Sequence, residues 1–353
     1  MKRLFVIKLL LLFLAPAPYA LAAGINDYDY YKPAWMGKEK IIVVGFRGVP
    51  KKTLRALRKA YAKSYQALGT RPIANTYALF WDTKKSNRQK VGRMWCRVEG
   101  KKEIRCQEAM SGNYGGFKDP DEAAGGFNGR TMFGLNHGTE GWWKGMAVDD
   151  GHLKTVAHEY FHVYQNMMVF YFEKEKRLGV PRKKAKNPPL VGPYWLEEGG
   201  ADYFAYNVAA KNKWKDHDYK YKMKQALLQA RAEIRQGKKK GIKVTLKNYA
   251  TEAQIDKLRA RGFEPHFQYD GGAWAMAYLR YLTGTNKGIF TNYYKDIAEL
   301  ERIWRKKGKI NYGWKKSFQK NFGMTVNQFY ARFNRFMKWS TSRQMRILST
   351  PLS

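Results

Sequence analysis

His158-Glu159-Tyr160-Phe161-His162-Val163-Tyr164-Gln165 is the stretch on which the reading of this chain turns. It sets two histidines four residues apart, with a glutamate directly after the first. On a helix, positions i and i+4 share one face, so both imidazoles can reach a single metal ion. The flanks are helical in pattern: Leu153, Val156, Tyr160, Val163 and Met167 recur at helical spacing, and Asp149 or Asp150 can cap a helix over about 150–168. Glu159 stands beside the pair, where a carboxylate can accept a proton from a water on that metal.

Downstream lies Trp195-Leu196-Glu197-Glu198-Gly199-Gly200-Ala201-Asp202-Tyr203. A catalytic zinc takes three protein ligands and keeps a fourth position open. Glu198 is the expected third ligand, because it precedes the glycine and stands four residues before Asp202. One helix face then carries a ligand together with a carboxylate able to orient a histidine. Glu197 points roughly 100° away around the same helix. The expected cofactor is one Zn2+ per chain, held by His158, His162 and Glu198.

These two motifs together resemble those of the gluzincin metallopeptidases, most of all the aminopeptidase-related branch, in which a W-L-x-E-G-x-A segment delivers the glutamate ligand. The resemblance covers roughly residues 128–340 and implies a zincin-like α+β fold. It implies zinc ligation by His158, His162 and Glu198, with Glu159 as general base. Asp202 resembles the carboxylate that orients a zinc-binding histidine. Tyr269-Asp270-Gly271-Gly272 is similar to a Y-x-x-G motif whose tyrosine stabilises the oxyanion, which makes Tyr269 the candidate donor. His266, three residues earlier, is a second candidate. No G-x-M-E-N segment is present to hold a free amino terminus, so the likeness implies an endopeptidase rather than an aminopeptidase. The implied substrate is a peptide or protein; a non-peptide amide, such as an envelope crosslink, belongs to the same class.

The amino terminus addresses the chain. Met1-Lys2-Arg3 is a positive start, residues 4–14 are apolar apart from Lys8, and Ala20-Leu21-Ala22 reads as a cleavage site. Export, to a periplasm or beyond, with cleavage near Ala22 is expected, and the apolar run is short for a bilayer span. Cys96 and Cys106 flank a segment read as two short strands around a Gly-containing turn, so one disulfide across a hairpin is expected in an oxidising compartment. Neither has C-x-x-C spacing, so neither a thiolate metal site nor a redox motif is expected.

About 330 residues remain after cleavage, enough for substantial cores. The expected class is α+β. Residues 23–127 read as an N-terminal α/β region containing the cysteine hairpin, and 128–353 as a mostly helical catalytic region. Within the first, 41–46 and 76–81 read as strands and Leu54, Leu57, Tyr61, Tyr65 and Leu68 mark an amphipathic helix. Residues 130–135 are expected at the sheet edge beside the cleft, where an extended peptide could add as a strand. The basic, proline-broken stretch 173–189 reads as a lid or a solvated insertion. Thr325-Val326-Asn327-Gln328 is a capping box ahead of a Phe329, Phe333, Phe336 core stripe.

The formal charge is +37, and +34 once Lys2, Arg3 and Lys8 leave with the signal. Such a surface attracts polyanions: membrane headgroups, anionic envelope polymers, nucleic acid or acidic proteins. Two functions from different classes therefore stand. One is an exported zinc peptidase. The other is a catalytically inactive polyanion-binding protein on a metallopeptidase fold.

Overall fold

The computed structural model describes residues 28–30, 41–46, 51–68, 76–81, 123–126, 131–136, 150–172, 190–214, 218–284 and 288–348. The expected signal segment, Cys96 with Cys106, and the basic stretch 173–189 lie outside these residues. Along the chain run β1 (Tyr28–Tyr30), β2 (Ile41–Phe46), α1 (Lys51–Leu68), β3 (Thr76–Trp81), β4 (Ala123–Gly126), β5 (Thr131–Asn136) and α2 (Asp150–Phe172). There follow α3 (Tyr194–Lys211), α4 (Tyr219–Lys239), α5 (Glu252–Arg259), α6 (Phe267–Thr283), α7 (Gly288–Arg305), α8 (Gly313–Phe322), α9 (Val326–Phe336) and α10 (Thr341–Met345). Among the described residues, no helix is long and apolar enough to cross a membrane.

The described protein is mostly helical, which corrects the α+β expectation with its sheet layer. Five short strands do pair along their backbones, in the order β1-β2-β3-β5-β4, with β2, β3 and β5 parallel and the two outer strands antiparallel. Val43 of β2 is buried in the same core as the helical residues. Helix α1 contributes Leu54, Leu57, Tyr61 and Leu68 to that core, and the aromatic-rich helices from α2 onward contribute most of its other members. A second correction concerns 130–135. Strand β5 lies between β3 and β4, so β4 forms that edge of the sheet and β5 is not open to an added strand.

Helix α3 sits between α2 and α6, and its glycines explain how. A Cβ on Gly199 would stand 2.2 Å from the backbone carbon of Gly272 on α6, and one on Gly272 would stand 2.4 Å from the carbonyl oxygen of Trp195. Two glycines thus let the backbones of α3 and α6 touch, an approach that no side chain would allow. The next residue, Gly200, faces the opposite way, against Phe161 and Gln165 of α2. Small residues on both faces make α3 a spacer that brings α2 and α6 close together.

The C-terminal helices close the other side. Trp195 stacks on Phe329 at 5.6 Å and donates its indole N–H to the Tyr330 hydroxyl at 3.2 Å. Phe329, Phe333 and Phe336 are buried as the core face of α9, which starts on a complete Thr325–Gln328 capping box. Glu301 of α7, fully buried, accepts backbone N–H groups of Asn311, Tyr312 and Gly313 and the Arg305 side chain. That carboxylate fixes the turn from α7 into α8 by supplying the acceptor its buried backbone needs.

Candidate metal centre

The histidines emerge from one face of α2 because they are one helical turn apart. Their Nε2 atoms stand 3.1 Å from each other. Glu198 reaches in from α3, with Oε2 3.5 Å from His158 Nε2 and 3.3 Å from His162 Nε2. The three residues can hold a metal ion. Zinc bonds nitrogen and oxygen ligands at about 2.0–2.1 Å, so tetrahedral ligand atoms stand roughly 3.3–3.4 Å apart. The separations here, 3.1 to 3.5 Å, bracket that value, and two imidazoles with one carboxylate make a donor set that zinc favours.

Each histidine is aimed by its other nitrogen. His158 Nδ1 lies 2.9 Å from Asp202 Oδ1, so Nδ1–H donates to the carboxylate and Nε2 faces the cluster. Lys154, one turn before His158, donates to the same oxygen at 2.7 Å. Burial alone would raise the Asp202 pKa, but Lys154 and His158 outweigh it and hold the carboxyl well below the usual carboxylate range. His162 Nδ1 lies 3.0 Å from Gln165 Oε1. The Gln165 amide nitrogen donates in turn to the Glu197 carbonyl at 3.1 Å and the Tyr294 hydroxyl at 2.9 Å. Gln165 is fully buried. It ties the second histidine to α3 and α7 at once.

Burial and charge oppose each other in this cluster. Burial raises Glu198, yet its hydrogen bonds with both histidines win and hold it at about 2. Burial lowers His162, yet Glu198, helped by Glu159 and Glu197, lifts it to about 10. Opposite charges of this kind at one point favour a bound cation, and binding one would release the histidine protons.

Glu159 is buried beside the pair, and its charge reaches His162, Tyr61 of α1 and Tyr269. Tyr269, in the first turn of α6, has its ring centroid 6.4 Å from that of His158. Burial first, then Glu198, pushes its hydroxyl up to about 12, against a hydrogen-bonding neighbour, Tyr194. The cluster thus gathers His158, Glu159, His162, Glu198, Asp202 and Tyr269. His266 is placed otherwise. It is an exposed N-cap of α6 whose backbone N–H donates to Glu233, and among the described residues no contact joins its imidazole to the cluster.

Four contributors escaped the sequence reading: Gln165, Lys154, Tyr194 and Tyr294. Gln165 stands three after His162, Lys154 four before His158, and Tyr194 four before Glu198, so helical spacing could have found those three. Tyr294 had no local signal. Asp270, next to Tyr269, is a further half-buried group, raised to about 7 by burial and then by Asp202 and Glu233. No protein-family model matches the chain, and no curated protein matches it significantly.

Proposed function

We propose that this chain is an exported zinc-dependent peptidase, cutting internal peptide bonds or closely related amides. The observation that supports it is the convergence of His158, His162 and Glu198 at 3.1 to 3.5 Å with a buried glutamate, Glu159, adjacent to the first ligand. A zinc ion held there supplies a Lewis acid and an acidified water. Glu159 takes the proton of the attacking water and delivers it to the departing amine. Tyr269 donates a hydrogen bond to the carbonyl oxygen as that oxygen gains charge. Its raised pKa of about 12 keeps it a donor at neutral pH. Asp202 and Gln165 act on the histidines alone, fixing which nitrogen of each ring faces the metal position.

The test pairs metal content with cleavage. Elemental analysis of the purified protein is expected to find about one zinc per chain, with strong loss in Glu198→Ala. Glu159→Gln should keep its zinc and its fold while losing hydrolysis of an unfolded protein substrate. Wild-type cleavage rates in Glu159→Gln, or a folded chain that takes up no zinc, would end this proposal.

A further inference from the structure

A second surface lies away from the metal cluster, in the turn joining α7 to α8. Residues 306–310 are exposed without interruption, and Ile310 keeps 54% of its surface in water. Around it stand Lys306, Lys307, Lys309, Lys315 and Lys316. Among the described residues none of the five has a carboxylate within ion-pair distance, whereas the nearby Arg302, Arg305 and Lys320 are paired with Glu299, Glu301 and Asp296. Trp304 and Tyr312 pack at 4.8 Å under this ring. Lysine ammonium groups sit over both: Lys307, Lys309 and Lys316 over Trp304 at 4.8 to 5.3 Å, and Lys309, Lys315 and Lys316 over Tyr312 at 5.1 to 5.7 Å.

We propose that this turn is a docking surface for an anionic lipid bilayer, with Ile310 entering the headgroup boundary and the five lysines contacting lipid phosphates. Three features select a bilayer. An exposed isoleucine gains by leaving water, and the headgroup boundary offers that gain where a nucleic acid backbone does not. Half-buried tryptophan and tyrosine rimmed by lysines form the arrangement of a membrane interface, with apolar stems inward and charges outward. The two rings already carry ammonium groups over their faces, which leaves no open platform for stacking bases. The turn is also held in shape. Glu301 pins Asn311, Tyr312 and Gly313 from below, and Asn311 takes a left-handed φ of 56°, so Ile310 is displayed on a fixed base.

Flotation with vesicles of three parts phosphatidylglycerol to seven parts phosphatidylcholine tests this, beside pure phosphatidylcholine vesicles. Wild type should bind only the anionic vesicles. Ile310→Ser, which changes no charge, should weaken partition by about fivefold, roughly the worth of burying half an isoleucine. Lys306→Ser/Lys307→Ser/Lys309→Ser should weaken it on the order of 100-fold at low salt, about fivefold for each lysine at an anionic surface. The control is Lys238→Ser/Lys239→Ser/Lys243→Ser, an equal loss of charge from three exposed lysines, and it should weaken binding far less. Circular dichroism and unchanged zinc content establish that each variant is folded. The proposal fails if wild type ignores anionic vesicles, if Ile310→Ser binds like wild type, or if the control loses as much as the turn variant. It fails equally if the turn variant loses binding to a single-stranded oligonucleotide while still binding vesicles normally.

Discussion

Replacing Gly199 with alanine should do far more damage than replacing Gly200, although the two are adjacent in one helix. At Gly199 the new Cβ would lie 2.2 Å from the Gly272 carbonyl carbon and 2.6 Å from the Ala273 nitrogen. Both are backbone atoms that cannot rotate aside, so α3 and α6 must separate by about 1 Å to restore ordinary contact. Overpacking of this kind costs about 3 kcal/mol or more, and the better helix propensity of alanine returns about 1. The net loss is about 2 kcal/mol. At Gly200 the nearest atoms are a Phe161 ring carbon at 3.2 Å and the Gln165 amide nitrogen at 3.5 Å, side chains that need yield only a few tenths of an ångström. There the two terms nearly cancel, leaving about 0–1 kcal/mol. Glu198 adjoins Gly199, and a metal site tolerates about 0.2 Å in its ligand distances, so Gly199→Ala should also empty the site of zinc. Denaturant midpoints at constant m-value measure the first effect and elemental analysis the second. A Gly199→Ala protein as stable as Gly200→Ala, with its zinc in place, would show that the helices do not meet backbone to backbone.

Gln165→Leu keeps the bulk but strands the Nδ1–H of His162 and the Glu197 carbonyl in a buried position. It should cost about 2–4 kcal/mol of stability and about 10–100-fold in zinc affinity, read by unfolding and by chelator competition. Asp270 holds its proton more tightly folded, with a pKa of about 7 against 3.8, so its contribution is complete below pH 3.8 and is lost as pH rises through 7. Asp270→Asn should therefore flatten the stability profile of the metal-free protein across that window, by a few kcal/mol at most, and an unchanged profile would place the titration elsewhere. Glu301→Gln removes the buried negative charge that accepts from Arg305 and leaves too few acceptors for the three N–H groups above it; it should cost about 3 kcal/mol in thermal unfolding without altering metal content.

What could be read from the sequence was what short spacing determines. Four residues on a helix bring His158 to His162, and Glu198 to Asp202. The 100° step separated Glu198 from Glu197, whose backbone, not its carboxylate, receives Gln165. The Phe329 stripe and its capping box were equally local. What misled was whatever depends on distant partners. Strand-forming patterns at 41–46 and 76–81 do yield paired strands, but whether a sheet or a set of helices builds the core depends on which elements find each other. Strand β5 lies inside the sheet because β4, just before it in the chain, pairs along its outer edge while β3 pairs along the other. Tyr294 reaches Gln165 across 129 residues, a contact no window could contain. His266 stands apart from the cluster, exposed at the start of α6 with its backbone N–H donating to Glu233.

The same contacts bear on what a bound metal would do for the fold. In small zinc modules the ion replaces a core, and its removal unfolds the chain. Here each proposed ligand is already held by protein: His158 by Asp202 of α3, His162 by Gln165, and Glu198 by the glycine contact that sets α3 against α6. The aromatic core among α3, α6 and α9 makes no use of the cluster. Chelation should therefore leave a folded, cooperative protein with its helical circular dichroism intact. Zinc that binds only the folded state adds stability by mass action, about 4 kcal/mol at a thousandfold excess over Kd, so the metal-free chain should melt on the order of 10 °C lower. Loss of the helical signal on chelation alone would mean that the cluster organises α2 and α3 rather than being organised by them.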